Sequence, residues 1–143
     1  MTLLYTKDGL GLTESFEGCK LTAYQDQVRV WTIGYGHTLD VAEGQTCTKA
    51  EAEEFLSDDV QKCVYAINRD VKVELDQNEF NALVDFAFNL GIGALEHSTL
   101  WKLVQAGDFN AAAEQFIKWD RAGGKEVAGL MRRRLAEKAE FLA

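Results

Sequence analysis

Between Phe80 and Leu90 the chain is apolar nearly all round, with Phe80, Leu83, Val84, Phe86, Ala87, Phe88 and Leu90 falling on every side of a helix. A helix without a polar face has to be surrounded. The segment therefore predicts a buried central helix with the other elements packed about it. Asp76 and Glu79 open it as a capping box, and Gly91 ends it. A chain of 143 residues is one domain by size and can bury roughly 68–70% of its unfolded surface, enough for such an arrangement.

Other elements follow from local signals. Thr48 and Glu51 form a second capping box, opening a long helix to about Arg69 whose apolar stripe is Ala52, Leu56, Val60, Cys63 and Ile67. Residues 7–17 predict a short helix, weakened by Gly9 and Gly11 and stopped by Gly18. From Lys20 to Tyr35 the pattern turns to strand, with Leu21, Ala23, Val28, Val30, Trp31, Ile33 and Tyr35 around a Gln25-Asp26-Gln27 bend. Ser98 caps a short helix through Leu103 that Gly107 closes, and Asp108 begins another carrying Phe109, Ala112, Phe116 and Trp119. After Gly123-Gly124 a last helix runs from about Leu130 to Leu142. The expected fold class is α+β, mainly α. A small hairpin lobe (about 18–47) stands beside a helical lobe (about 70–143 plus the N-terminal helix), joined by the long helix, with the active-site cleft between them. The whole of 1–143 is read as a single domain.

Charge excludes one class of partner. The net charge is −8, and residues 39–76 alone carry −6, from ten acids and four bases. Nucleic acid demands a basic footprint, so Arg132-Arg133-Arg134 is not read as a nucleic-acid patch. The same charge gives no electrostatic help towards an anionic cell wall. No apolar run reaches the about 18 residues of a membrane span, so no stable membrane insertion is expected. Met1–Asp8 reaches charge too early for the apolar region of a signal peptide. The reading is of a monomer made in the cytoplasm, needing help from another protein to reach any target outside it. Cys19, Cys47 and Cys63 have neither zinc spacing nor a CxxC and are read as reduced, mostly buried thiols.

The chemistry concentrates between Phe16 and Thr38. Glu17 falls in the last turn of the first helix, where exposed carbonyls disfavour negative charge, and behind Phe16. Both settings suit a proton donor. Asp26 lies on a polar bend between Gln25 and Gln27, a wetter place that suits an ionised carboxylate. Two carboxyl groups in different settings, facing one another, are what hydrolysis of a glycosidic bond requires. Thr32, on the returning strand, can hold the attacking water by its hydroxyl.

Glu17, eight residues, Asp26, five residues, Thr32 and then Ile33-Gly34-Tyr35-Gly36-His37-Thr38 together resemble the phage-type lysozymes, or endolysins, of glycoside hydrolase family 24. Thr48-Lys49-Ala50-Glu51-Ala52-Glu53, Phe88-Asn89-Leu90-Gly91, Ser98-Thr99-Leu100 and Gly129-Leu130-x-x-Arg133-Arg134-x-x-Glu137 are similar to the family's later motifs in the same order. The resemblance covers about residues 10–142. It implies Glu17 as general acid, Asp26 as second carboxylate and Thr32 as water-positioning partner. It also implies cleavage of β-1,4 bonds between N-acetylmuramic acid and N-acetylglucosamine in peptidoglycan, with no metal or cofactor. Inversion at the anomeric carbon would set the carboxyl groups about 6.5–9.5 Å apart instead of about 5–5.5 Å. Phage-type host lysis, with a separate holin for release, follows from the same resemblance. A lytic transglycosylase and a catalytically silent wall-binding module are the alternatives, and both are disfavoured by the full acid, aspartate and threonine set.

At one place the sequence departs from the family pattern. Where the family often has Pro and Gly after the aspartate, this chain has Gln27 and Arg29. A non-glycine at Arg29 limits positive φ, and its guanidinium is placed to salt-bridge Asp26. Supporting groups complete the reading. Asp59 lies at the edge of the apolar stripe and needs a partner, and His37 is the candidate for a structural ion pair. Arg133 or Arg134 is expected to meet Glu17 or a substrate carboxylate, as the family motif implies. Asn89 either caps its helix or hydrogen-bonds a sugar acetamide. Trp31, Tyr24, Trp101 and Trp119 are core residues or sugar-stacking platforms, and His97 is a loop residue.

Overall fold

The computed structural model describes residues 2–119, 121–122, 125–126 and 128–143. Helix α1 spans Lys7–Glu17, strand β1 Lys20–Gln25, strand β2 Trp31–Gly34, α2 Lys49–Asp59, α3 Gln61–Asp70, α4 Gln77–Leu90 and α5 Ile92–Glu96. Then come α6 Thr99–Gln105, α7 Phe109–Gln115, a 3₁₀ turn at Phe116–Lys118, the two-residue strands β3 Arg121–Ala122 and β4 Lys125–Glu126, and α8 Ala128–Leu142. Among the described residues no helix is long and apolar enough to cross a membrane. Residues 10–62 form one compact unit; residues 1–9 and 63–143 form the other.

In the smaller unit β1 is the middle of three extended segments. It pairs antiparallel with β2 in the register Tyr24 to Thr32 and Gln25 to Trp31, and a bulge lets Lys20 meet Gly34. On its other edge the Ala23 amide donates to the Gln45 carbonyl and the Cys47 amide to that of Leu21. This third segment carries no sequence signal, being three residues long and mostly polar. Strand β2 lies against α2. The close approach falls at Gly34, where an added Cβ would stand 3.1 Å from the Cβ and 3.3 Å from the Cα of Ala52, with φ at +64°.

The larger unit is built around α4, whose residues from Phe80 to Ala87 are all buried. α8 packs along it, and α6, α7, the 3₁₀ turn and α8 bring Leu100, Val104, Ala112, Phe116 and Phe141 into the core. Trp101 is buried in the core, and the half-buried Trp119 meets Phe86 edge-on at 5.6 Å. The N-terminal segment is tied to this unit by amide side chains. Asn68 exchanges two hydrogen bonds with the Leu3 backbone, Gln77 donates to the Leu4 carbonyl, and Asn81 donates to the Thr6 hydroxyl.

Both expected capping boxes close. Thr48 Oγ1 accepts from the Glu51 amide and Asp76 Oδ1 from the Glu79 amide, and each glutamate carboxylate accepts in return from the cap's own amide. The expected single helix from 48 to about 69 is instead two. It is interrupted at Val60, whose amide reaches both the Leu56 and Asp58 carbonyls while the residue stays right-handed helical. The N-terminal helix, expected with the helical lobe, is divided after Gly9, and residues 10–17 and 48–62 belong with the hairpin. Helix α5 and the β3–β4 pair were not expected, and α8 begins at Ala128 instead of about Leu130. Of the thiols only Cys63 is buried, where burial pushes it up to about 11; Cys47 is half-buried and Cys19 exposed.

Leu83, fully buried on α4, sets the scale for core loss. Leu83→Ala should cost about 2–5 kcal/mol, whereas Thr48→Ala, which removes one cap, should cost about 1 kcal/mol. Urea unfolding of the two variants checks the order, and a Thr48→Ala cost equal to that of Leu83→Ala would contradict it.

Candidate active site

Glu17 is the last residue of α1, and it is half-buried. The chain turns at Gly18, whose amide donates to the Glu14 carbonyl at 3.3 Å, and enters β1. A Cβ placed on Gly36 would lie 3.5 Å from Glu17 Oε1, so the carboxyl group rests over the backbone of the turn that follows β2. That backbone is left-handed, with φ at +85°. The glycine thus meets two requirements at one place, conformation and room for the acid.

The hairpin tip is organised by Asp26. Its Oδ1 accepts from the amides of Val28 and Val30, both at 2.9 Å. The backbone adds Asp26 N–H to the Val30 carbonyl and Arg29 N–H to the Asp26 carbonyl, each at 3.0 Å. These bonds hold Arg29 at φ +63°, in the left-handed region that the sequence disfavours for a non-glycine. The Arg29–Asp26 ion pair considered from the sequence is not formed among the described residues. Asp26 Oδ1 is committed to two amides, and the guanidinium stands exposed. Asp26 Oδ2 takes no hydrogen bond from any described residue.

Across the ladder from Tyr24, Thr32 is 4% exposed and donates its hydroxyl hydrogen to the Val30 carbonyl at 2.9 Å. Its oxygen can then only accept from a further partner. Beyond it, Ile33 and His37 exchange two backbone hydrogen bonds of 2.9 Å, closing the turn. The His37 ring is stacked on Phe55 with centroids 4.3 Å apart, and its Nδ1 lies 2.9 Å from Asp59 Oδ2. The contact expected between His37 and Asp59 is present, and His37 is buried by it. Trp31 and Tyr24 remain half-exposed on the hairpin, and Lys20 lies over the Tyr24 ring at 5.3 Å.

The remaining expected residues, Asn89, Arg133 and Arg134, belong to the larger unit. Arg133 holds Asp85 with two hydrogen bonds of 2.9 Å. Arg134 Nη2 donates to Glu137 Oε2 at 2.8 Å and to Asn89 Oδ1 at 2.9 Å, while its Nε lies 2.6 Å from Glu137 Oε1 without hydrogen-bond alignment. The Arg134 guanidinium covers the face of Phe86 at 5.1 Å. Arg134, Glu137 and Asp85 are fully buried, so Arg134 cannot present itself to a substrate carboxylate. Asn89 does not cap α4, a place taken by Gly91; it serves as an acceptor for Arg134. Sequence reasoning did not single out Asp85 and Glu137 as site residues. The signal for Asp85 was there, since a carboxylate on a helix apolar nearly all round requires a buried partner. Burial holds the Glu137 carboxyl well above the usual carboxylate range, helped by the hydrogen bond and charge of Asp85 and opposed by Arg134.

Two tests follow from this geometry. Gly36→Ala meets an ordinary contact and should cost about 1–2 kcal/mol through its φ alone. Gly34→Ala also drives a methyl into α2 and should cost about 2–4 kcal/mol; the reverse order in urea unfolding would refute the close seat of strand on helix. For Glu137, the raised folded value makes its contribution to stability full below the unfolded value of about 4.3. That contribution is lost as pH climbs through the raised value. The stability of the parent relative to Glu137→Gln should therefore fall as pH rises above the ordinary carboxylate range, and a pH-independent difference would contradict the assignment.

The profile of the family described as Phage lysozyme matches residues 14–137. The endolysin of Bacillus phage B103 is 44% identical over 137 residues, 94% of this chain and 52% of that protein. The endolysin of Acyrthosiphon pisum secondary endosymbiont phage 1 is 40% identical over 140 residues, 95% of this chain and 96% of that one. This chain thus spans about half the length of the first relative and nearly all of the second. Among solved structures, the muramidase domain of SpmX from Asticaccaulis excentricus superposes with a TM-score of 0.92 at 38% identity, covering 97% of each chain. The α+β, mainly helical architecture is accordingly lysozyme-like, and the chain belongs to the phage lysozyme family.

Proposed function

We propose that the chain is a muramidase that hydrolyses the β-1,4 bond between N-acetylmuramic acid and N-acetylglucosamine in peptidoglycan, with inversion at the anomeric carbon. The observation that carries the reading is the pairing, within one compact unit, of a helix-terminal Glu17 resting on Gly36 with an Asp26 whose Oδ2 is left open. Glu17 donates a proton to the leaving oxygen. Asp26 Oδ2 accepts one hydrogen of the attacking water, and Thr32 Oγ1, its own hydrogen spent on Val30, accepts the other. Two acceptors fix the water and aim its lone pair at the anomeric carbon. His37 and Asp59 hold the turn that carries Gly36. Arg133, Arg134 and Asn89 order the interior of their own unit through Asp85 and Glu137. Membership of the phage lysozyme family supports a role in host lysis by a monomer made in the host cytoplasm and released to the wall with a separate holin.

Clearing of a cell-wall suspension tests the assignment. Glu17→Gln should lower kcat by about 10²–10⁴-fold, the usual weight of a general acid, and the parent should leave a reducing muramic acid end. Equal clearing by the two proteins would indicate a wall-binding module, and a 1,6-anhydro product would indicate a lytic transglycosylase. Either result would overturn the proposal.

A further inference from the structure

The unit that carries Glu17, Asp26 and Thr32 is acidic, with ten acids and four bases between residues 10 and 62. A peptidoglycan strand is itself anionic, because its muramic acid residues carry lactyl-peptide arms that end in carboxylates. Two negative surfaces repel one another, so the site needs a local cation where the strand is held. Arg29 stands three residues from Asp26, and the turn between them is fixed by the Asp26 carboxylate and backbone. Its guanidinium is exposed and has no acid partner among the described residues. The nearest carboxylate in sequence is engaged with the amides of Val28 and Val30, so the turn does not consume the charge.

The backbone sharpens the point. At φ +63° an L side chain costs roughly 1 kcal/mol or more against glycine. A solvated arginine with no task gains nothing from that position, and any polar residue elsewhere on the hairpin would serve solubility as well. Backbone outliers of this kind cluster where a ligand is held. A guanidinium also suits the task by its shape: its donors form a planar fork that matches a carboxylate with two parallel hydrogen bonds.

We propose that Arg29 receives a carboxylate of the lactyl-peptide arm and so sets the preference of this site for peptide-bearing strands. The proposal rests on the muramidase reading above and deepens it. Arg29 is a substrate-binding residue here. It does not touch the reacting bond, so its contribution is to binding that is uniform between ground and transition state, which moves KM and leaves kcat.

The test uses the full chain with two substitutions, Arg29→Gln and Arg29→Lys. Neither introduces glycine, so both keep the strained backbone position, and unchanged melting temperatures report an intact turn. Initial rates are measured on insoluble wall with native carboxylates and on the same wall after its carboxylates have been amidated. On native wall Arg29→Gln should raise KM by about five- to tenfold, with kcat within about twofold, as expected for one charge-assisted contact. Arg29→Lys, which keeps the charge and gives up the fork, should recover only part of the loss. On amidated wall the parent and Arg29→Gln should converge. An unchanged KM on native wall overturns the proposal, as does an equal loss on both walls, which would make the effect one of turn geometry. A parent inert on both walls sinks the muramidase reading itself, a result distinguishable from failure of the Arg29 contact alone.

Discussion

The smaller unit depends on one close approach, the seat of β2 on α2 at Gly34. Strand and helix come so near there that a single methyl group would meet the Ala52 backbone. Residues two apart on a strand share a face, so the height of β2 above α2 also sets Thr32. The Ile33–His37 turn follows directly and carries Gly36 under Glu17. His37, stacked on Phe55 and hydrogen-bonded to Asp59, ties the far end of that turn to the same helix. Close approach, aromatic stack and the His37–Asp59 hydrogen bond therefore all bear on α2, against which the turn beneath Glu17 is set.

The larger unit solves a different problem. α4 is buried on all sides, yet it carries Asp85 in its middle. Arg133 meets that carboxylate with both arms of its fork, and Arg134 and Glu137 lie beside it on α8. Apolar side chains of similar volume would hold two helices at least as tightly. What the ionic cluster adds is direction. Its hydrogen bonds join named partners on the two helices, Arg133 to Asp85 and Arg134 to Asn89, whereas an apolar seam names none.

Much of this was legible where a side chain speaks to its own neighbourhood. The caps at Thr48, Asp76, Ser98 and Asp108 were readable because each bonds an amide three residues on, and α4 because burial on all sides leaves a plain mark. His37 and Asp59 were paired from the sequence because a carboxylate at the edge of an apolar stripe demands a partner. The rest needed distant information. Val60 interrupts a helix without glycine, proline or any change of backbone region, so nothing local announces it. The 45–47 segment is extended only because β1 offers it an edge. Arg133 finds Asp85 across 48 residues, a distance over which spacing is silent. At Arg29 the local rule against positive φ was sound, and it lost to a carboxylate holding two amides at once.

That carboxylate has a divided nature. One oxygen of Asp26 is a structural clasp, closing the ribbon through Val28 and Val30, and the other is the one to which the proposed mechanism gives the attacking water. The two duties are separable only by a replacement that keeps one and discards the other. Truncating the side chain would unclasp the ribbon and disarm the site together, so a dead truncated protein would say nothing about which duty had failed. The isosteric amide keeps an oxygen for the clasp while surrendering the charge, and it alone isolates the reactive half.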